Sequence, residues 1–173
     1  CAPVALPRLF HDQGELASAR AAGEAGIIFT LSTLASIPME TVALESGPKW
    51  FQLYMYRDKG LVKELVDRAK DSGYSALCLT VDAFIGGNRE QDLRNGFSVP
   101  PHPSLKTIME TALHPAWCWD YLTKPKVTTA NVSGDRIAGS EGKTTLLEYV
   151  TKQLTPSVTW NDVDWLREQF DGP

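Results

Sequence analysis

Short apolar runs alternate with amphipathic segments along the first two-thirds of the chain. The runs at 27–31, 50–54 and 76–81 are too short for helices and are rich in β-branched and aromatic residues. They lack a strict alternation of apolar and polar positions, which is typical of parallel strands covered on both faces. The pattern therefore predicts a parallel sheet buried from two sides.

The segments between these runs have helical spacing. An alanine-rich stretch ends at Gly26, and a later stretch repeats apolar residues on one face before Gly73. Helices are predicted at 15–25, 38–44 and 61–73. Strands that alternate with helices of this length predict right-handed βαβ crossovers. A barrel and an open doubly wound sheet both satisfy that pattern.

The pattern changes beyond residue 88. Prolines and glycines recur without a clean strand, which predicts a long insertion after the strand that ends at Asp82. Helices are predicted at 105–113, 117–122, 143–154 and 162–170, the last capped by Thr159 or Asn161. We expect regular βα units over 1–96, an insertion over 97–142, and helices over 143–173 that precede a further strand.

Composition narrows the class of protein. With 43% hydrophobic and 22% charged residues the chain is typical of globular proteins, and its net charge of −4 predicts no nucleic-acid partner. No apolar run is long enough to span a membrane, and the charged-then-apolar opening of a signal peptide is missing, so we expect neither feature. Its 173 residues are fewer than the about 250 of a closed (β/α)-barrel, so we expect part of a longer protein.

Three cysteines lie far apart along the sequence. Their spacing fits neither a disulfide framework nor a zinc site, and it favours a reducing, cytoplasmic compartment. Cys78 lies within an apolar run, where we expect it to be buried. His11, His102 and His114 lack metal-ligand spacing and are predicted to lie on the surface or in loops. We therefore expect no metal site.

Polar residues cluster where the predicted strands end. Ser32, Gln52, Tyr54, Thr80 and Asp82 all follow or complete an apolar run. In parallel α/β folds functional groups gather at the carboxyl ends of strands, so this set could hold a planar heteroaromatic ligand and a small polar substrate. The alternative is that these side chains only cap the following helices.

Other signatures are absent from the sequence. There is no G-x-G-x-x-G motif after a strand and no G-x-S-x-G elbow, which disfavours a nicotinamide Rossmann site and an α/β-hydrolase. The turn at 86–88 is a weak candidate for a phosphate loop, and a plain connecting turn explains it better.

Several stretches resemble the FMN-dependent 2-hydroxy-acid oxidising family, which includes glycolate oxidase, lactate oxidase and dehydrogenase, and mandelate dehydrogenase. The stretches are Ala-Pro-Val-Ala at 2–5, Leu-Ser-Thr at 31–33, Trp-Phe-Gln-Leu-Tyr at 50–54, Leu-Thr-Val-Asp at 79–82, Gly-Asn-Arg-Glu at 87–90 and Pro-Ser-Val-Thr-Trp at 156–160. The resemblance runs from end to end. It implies an α/β fold, roughly the first half of a (β/α)8 TIM barrel, with FMN as cofactor.

The resemblance also implies roles for single residues. Tyr54 would contact the substrate and take part in catalysis, Asp82 would pair with a catalytic histidine, and Arg89 would lie near the substrate carboxylate. A carboxylate beside an imidazole stabilises imidazolium, and a guanidinium fits a carboxylate. Leu34 occupies a position that lines the substrate pocket, where it leaves room or simply packs. The cofactor-binding residues implied are Pro3, Val4, Ala5, Ser32, Gln52 and Thr80.

The whole protein is thereby expected to be a flavoprotein oxidoreductase that converts a small L-2-hydroxy acid to a 2-keto acid. The family's histidine and phosphate-binding segments are expected beyond Pro173, so the alternative is an inactive half-barrel that needs a partner chain. A third interpretation, another reaction on a flavin barrel, is disfavoured by Asp82 and Arg89 following one strand. A homotetramer is expected. The 102–155 insertion, with its Trp117, Trp119 and Tyr121, has two interpretations: peripheral contact to the inner face of the membrane, or a loop that packs these aromatic residues against the barrel or a neighbouring subunit.

Overall fold

A parallel sheet forms the centre of the fold. The computed structural model describes residues 1–82, 90–94, 105–124, 126–132, 154–155 and 157–173. Strands β1 (Phe29–Ser32), β2 (Lys49–Tyr54) and β3 (Ala76–Thr80) pair in parallel in the order β1-β2-β3. The three predicted strands are therefore confirmed, and a partial parallel sheet is consistent with part of a barrel.

Helices connect the strands and follow them. A 3-10 turn at Pro7–Leu9 precedes the first of them, and the helix predicted at 143–154 falls outside the described residues except for its last residue, which forms a β-bridge with Tyr56. The bounds are α1 (Gly14–Glu24), α2 (Met39–Ala43), α3 (Lys59–Asp71), α4 (Glu90–Arg94), α5 (Leu105–Ala112), α6 (Pro115–Thr123) and α7 (Trp160–Gln169).

Local capping explains where α3 and α7 begin and end. The Asp58 carboxylate accepts hydrogen bonds from the Gly60 and Leu61 amides at 2.9 and 3.1 Å, and Gly73 follows α3 with a φ of 79°. That left-handed conformation favours glycine just after a helix. At α7, Thr159 and Asp162 form a reciprocal capping box, so Thr159 is confirmed as the cap.

The core lies on one face of the sheet. Leu31, Phe51 and Leu53 are fully buried there, and the Phe51 ring packs edge-to-face on Tyr74 with centroids 6.0 Å apart. Burying each large apolar side chain contributes about 1.5–3 kcal/mol. Helix α3 adds a buried stripe at the spacing its sequence predicts: Leu61, Val62, Leu65, Val66 and Ala69.

The opposite face of the sheet is partly open. Trp50 is 38% exposed and Cys78 is also exposed. Side chains alternate along a strand, so both share a face with Gln52. The prediction that the strands are covered on both faces therefore holds for β1, whose four residues are all buried, and is wrong for β2 and β3 around Trp50 and Cys78. The prediction that Cys78 is buried is also wrong. The apolar sequence of β3 could not reveal this, because exposure depends on what packs above a strand.

The strand ladder continues at both edges of the sheet. Cys1 donates from its amino group to the Ile28 carbonyl at 2.6 Å and accepts from the Thr30 amide at 3.1 Å. Leu77 of β3 donates to the Pro173 carbonyl at 3.0 Å. Both edges of the sheet thus already carry a neighbouring backbone.

A strap at residues 126–132 holds the start of α2. The Asn131 side-chain oxygen accepts from the Met39 amide at 2.9 Å, and the Asn131 carbonyl accepts from Arg68 at 3.0 Å. Arg68 also pairs with Glu40 in the first turn of α2. Because Pro38 makes no side-chain cap, Asn131 serves as the cap of α2 from a distant part of the sequence.

We expect Asn131→Ala to lower the free energy of unfolding by about 1–2 kcal/mol, since it leaves the buried Met39 amide without its acceptor. Urea unfolding followed by circular dichroism measures the change. The exposed Asn161, replaced by alanine, serves as the control. Equal unfolding midpoints for the two variants would show that Asn131 does not cap α2.

Candidate functional site

A chain of polar side chains crosses the carboxyl ends of all three strands. The Ser32 hydroxyl donates to Gln52 Oε1 at 3.2 Å, and Gln52 Nε2 donates to the Thr80 hydroxyl at 2.7 Å. The Thr33 amide also donates to Gln52 Oε1 at 3.3 Å. An N–H can pair only with the carbonyl oxygen of the amide, so Thr33 fixes which way the Gln52 side chain points.

This arrangement leaves hydrogen-bond donors available. The Thr80 hydroxyl accepts from Gln52, so its own hydrogen can point elsewhere, and Gln52 Nε2 carries a second N–H. Both groups lie on the partly open face of the sheet. The pair is suited to a ligand edge rich in carbonyl and ring-nitrogen acceptors.

Thr33 is a further site residue that was not among those predicted from the sequence. Its hydroxyl donates to the Gln52 carbonyl at 2.5 Å and accepts from the Tyr54 amide at 3.3 Å. It thereby joins the end of β1 to the β2 backbone at Gln52 and Tyr54. Its position directly after Ser32 at a strand end was the sequence feature that could have identified it.

Tyr54 and Asp82 interact electrostatically. Burial, and secondly the negative charge of Asp82, raise the pKa of Tyr54 above its ordinary value of 10.0. Asp82 itself is exposed, and it lies just beyond β3. The Tyr54 phenol therefore stays protonated and able to donate at neutral pH.

This raised pKa has a consequence for stability at alkaline pH. The folded state holds the Tyr54 proton more tightly than the unfolded state does. The contribution of Tyr54 to the free energy of unfolding is therefore fully present below about pH 10 and is lost as pH rises through the raised pKa. We expect Tyr54→Phe to lose less stability above pH 10 than the unsubstituted chain. Unfolding midpoints at pH 8 to 11 measure this, with the exposed Tyr121→Phe as control. Parallel pH profiles for Tyr54→Phe and the unsubstituted chain would contradict the assignment.

The first loop lies against the loop that follows β1. Pro3, Val4 and Ala5 are exposed, and Leu6 has a φ of 51°, an uncommon conformation for a residue with a side chain. The Leu6 amide donates to the Leu34 carbonyl at 3.1 Å. The Leu34 side chain is partly buried and packs against the core.

A small recess lies beside Tyr54 and Thr80. It is completed by Met55, Val81 and Val158, together with Leu154 and Thr155. The Thr155 amide donates to the Met55 carbonyl at 2.9 Å. These lining residues could not be predicted from the sequence, because the contact joins segments that lie about a hundred positions apart and no local pattern marks it.

The structure describes only some of the remaining predicted residues. Arg89 and the turn at 86–88 lie outside the described residues, as does His102. His11 and His114 are exposed, as predicted. Within the described residues no group of three or more His, Cys, Asp and Glu side chains is placed to hold a metal ion. In the same part of the chain, no helix is both long and apolar enough to cross a membrane.

Comparison with known proteins gives consistent matches along the whole chain. A family profile described as FMN-dependent dehydrogenase matches residues 1–173. A putative L-lactate dehydrogenase of Mycobacterium tuberculosis is 41% identical over 99% of this chain, and an L-lactate oxidase of Nostoc is 43% identical over 96%. The structure of the monotopic membrane protein (S)-mandelate dehydrogenase superposes with a TM-score of 0.86 at 33% identity over 98% of the chain. The chain spans only 40%, 41% and 45% of these three proteins.

Proposed function

Because the chain belongs to the FMN-dependent dehydrogenase family, we propose that its strand ends form the flavin edge and part of the substrate site of an enzyme that oxidises a small L-2-hydroxy acid to the 2-keto acid. The observation that carries this proposal is the hydrogen-bonded series Ser32–Gln52–Thr80. It presents donors at one level of the sheet, where parallel α/β folds place their ligands.

These residues fit FMN. The pyrimidine edge of the isoalloxazine ring carries carbonyl and ring-nitrogen acceptors, which match the free donors of Gln52 and Thr80. When bound, FMN supplies the electron acceptor for the oxidation. The protein's part is to bind and orient it, and we assign the opposing backbone contact to the exposed segment of Pro3, Val4 and Ala5.

The substrate side of the site is proposed around Tyr54. Its protonated phenol donates to the substrate, while Leu34 limits the size of the pocket. Asp82 is exposed and free to hold the imidazole of the histidine that this family uses as a base. Arg89 is proposed to pair with the substrate carboxylate in a two-pronged contact.

An alternative is a catalytically inactive half-barrel that needs a partner chain. The observation in its favour is the open face at Trp50 and Cys78, together with the short span relative to the matched proteins. On the present proposal the 173 residues alone carry the flavin edge but do not turn over. We expect turnover only when the catalytic histidine is also present. We call this chain, together with the segment or partner chain that carries the histidine, the histidine-containing assembly.

Anaerobic flavin reduction tests the proposed function. We expect L-lactate or (S)-mandelate to bleach the flavin absorbance of the histidine-containing assembly, whereas the D-acid leaves it unchanged. The 173-residue chain with added FMN is the control, and we expect no bleaching from it. Bleaching of the assembly by neither enantiomer would contradict the proposed function, and bleaching by the 173-residue chain alone would contradict its expected inactivity.

We also propose peripheral membrane contact through α5 and α6. Apolar side chains there are unusually exposed, with Met109 at 72%, Trp119 at 70% and Leu122 at 80%. Trp117 and Tyr121 stack at 5.0 Å, and such aromatic pairs suit the lipid–water interface. The similar mandelate dehydrogenase is described as monotopic, which favours a lipid surface as the occupant.

Vesicle flotation tests this contact. We expect the protein to float with phosphatidylglycerol vesicles and Trp119→Ser to reduce the floated fraction. Size-exclusion chromatography with light scattering of the same sample measures the molar mass and so tests the expected homotetramer. Recovery of the unsubstituted protein entirely in the lipid-free fraction would contradict membrane contact.

A further inference from the structure

A buried carboxylate contacts the loop that follows β1. Glu15, in the first turn of α1, is 1% exposed. Its Oε1 accepts from the Ser36 amide at 2.5 Å, and the Ser36 hydroxyl lies 3.0 and 2.8 Å from the two carboxylate oxygens. A buried carboxylate is tolerated only with such hydrogen bonds, so Glu15 and Ser36 form a specific pair.

Ser36 also contacts a residue near the start of the chain. Its hydroxyl accepts from the Arg8 amide at 3.2 Å, while the Leu6 amide donates to the Leu34 carbonyl at 3.1 Å. Two parallel links therefore join the first loop to the loop after β1. The link from Arg8 to Ser36 continues to Glu15 through the Ser36 hydroxyl.

Gly14 provides independent support for a close fit at this point. It has a φ of 47°, and a Cβ added to it would lie 2.6 Å from Arg8 Cγ. The stem of the Arg8 side chain thus rests directly on the backbone that precedes Glu15. The beginning of α1 contacts the first loop through both the Arg8 backbone and its side chain.

We propose that Glu15 is a positioning residue for the flavin site. Through Ser36 it fixes the loop that carries Leu34, and through Arg8 it fixes the segment that carries Pro3–Ala5. This inference rests on the proposed function, because those two loops are the ones assigned to the flavin and to the substrate pocket. Glu15 itself touches neither ligand; it sets the spacing between the loops that do.

Amide hydrogen exchange on the 173-residue chain tests the proposal without requiring FMN. We expect Glu15→Ala to lower the protection of the Leu6, Arg8 and Ser36 amides about tenfold, and to leave the α3 amides unchanged. Glu15→Gln keeps an acceptor for the Ser36 amide and should restore most of its protection. Glu24→Ala, at an exposed position on the same helix, is the control and should change none of these amides.

A second variant keeps the test decisive if Glu15→Ala does not fold. Ser36→Ala preserves the backbone link to Glu15 but removes the acceptor of Arg8, so we expect protection to fall at Arg8 and to persist at the amide of residue 36. An equal fall across all amides, α3 included, would mean that Glu15 only stabilises the fold and would overturn the proposal. Unchanged protection of the first loop in every folded variant would overturn it as well.

The flavin provides a separate readout. We expect Glu15→Ala to weaken FMN binding about tenfold and to shift the visible flavin spectrum, with Glu24→Ala matching the unsubstituted chain. If the unsubstituted histidine-containing assembly also binds no FMN, that result counts against the proposed flavin site. The exchange pattern then decides the role of Glu15 by itself.

Discussion

Gln52→Leu is expected to weaken FMN binding about a hundredfold, or about 2.7 kcal/mol. The substitution removes the Nε2 donor that we propose faces the flavin, together with the hydrogen bond from Gln52 to the Thr80 hydroxyl. It also leaves the Thr33 amide and the Ser32 hydroxyl without their shared acceptor. Each hydrogen bond of this kind that is lost costs about 1–3 kcal/mol when its buried partner stays unpaired.

Quenching of flavin fluorescence during titration measures this affinity. Gln13→Leu is the matched control, because Gln13 is exposed and makes no capping contact with its side chain. Gln52→Glu preserves the size of the side chain and replaces the donor with an acceptor, so it should weaken binding as well. An affinity for Gln52→Leu within twofold of the unsubstituted chain would place the flavin elsewhere.

Asp82→Asn is expected to lower kcat of the histidine-containing assembly about a hundredfold to ten-thousandfold, with little change in KM. Asparagine has the shape of aspartate but no negative charge, so it cannot stabilise a positively charged imidazole as the base takes a proton. The pKa of Tyr54 should fall towards its ordinary value in the same variant, because Asp82 is one of the two causes that raise it.

Steady-state dye reduction measures the change in kcat, and ultraviolet titration of the phenol reports the change at Tyr54. Asp120→Asn, an exposed carboxylate on α6, is the control. If Asp82→Asn keeps kcat within threefold while Tyr54 titrates lower, Asp82 lies near the substrate site without assisting the base.

The strands and most helices could be predicted from local sequence patterns. Apolar runs located β1 to β3, and Gly73 and Thr159 marked a helix end and a helix start. These features depend on backbone conformation and on neighbours within a few residues, which the sequence carries directly. The exposure of Cys78 could not be predicted this way, because it depends on distant segments that do or do not cover β3.

The site likewise contains residues that could be predicted from the sequence and contacts that could not. Strand-end position and family resemblance were enough to select Ser32, Gln52 and Thr80, and the structure brings these three into hydrogen-bond contact. The direction of the Gln52 amide depends on the Thr33 backbone, which no sequence pattern records. The cap on α2 from Asn131, the Thr155 contact with Met55 and the Glu15–Ser36 pair are likewise long-range contacts.

A crystal structure with FMN bound would show where the isoalloxazine ring lies relative to the carboxyl ends of the strands. We expect Gln52 Nε2 and the Thr80 hydroxyl to lie within about 3.2 Å of acceptors on the isoalloxazine edge, with the backbone of Pro3–Ala5 against the ring. A flavin bound away from the carboxyl ends of β1 to β3, with the Gln52–Thr80 pair facing solvent, would contradict it.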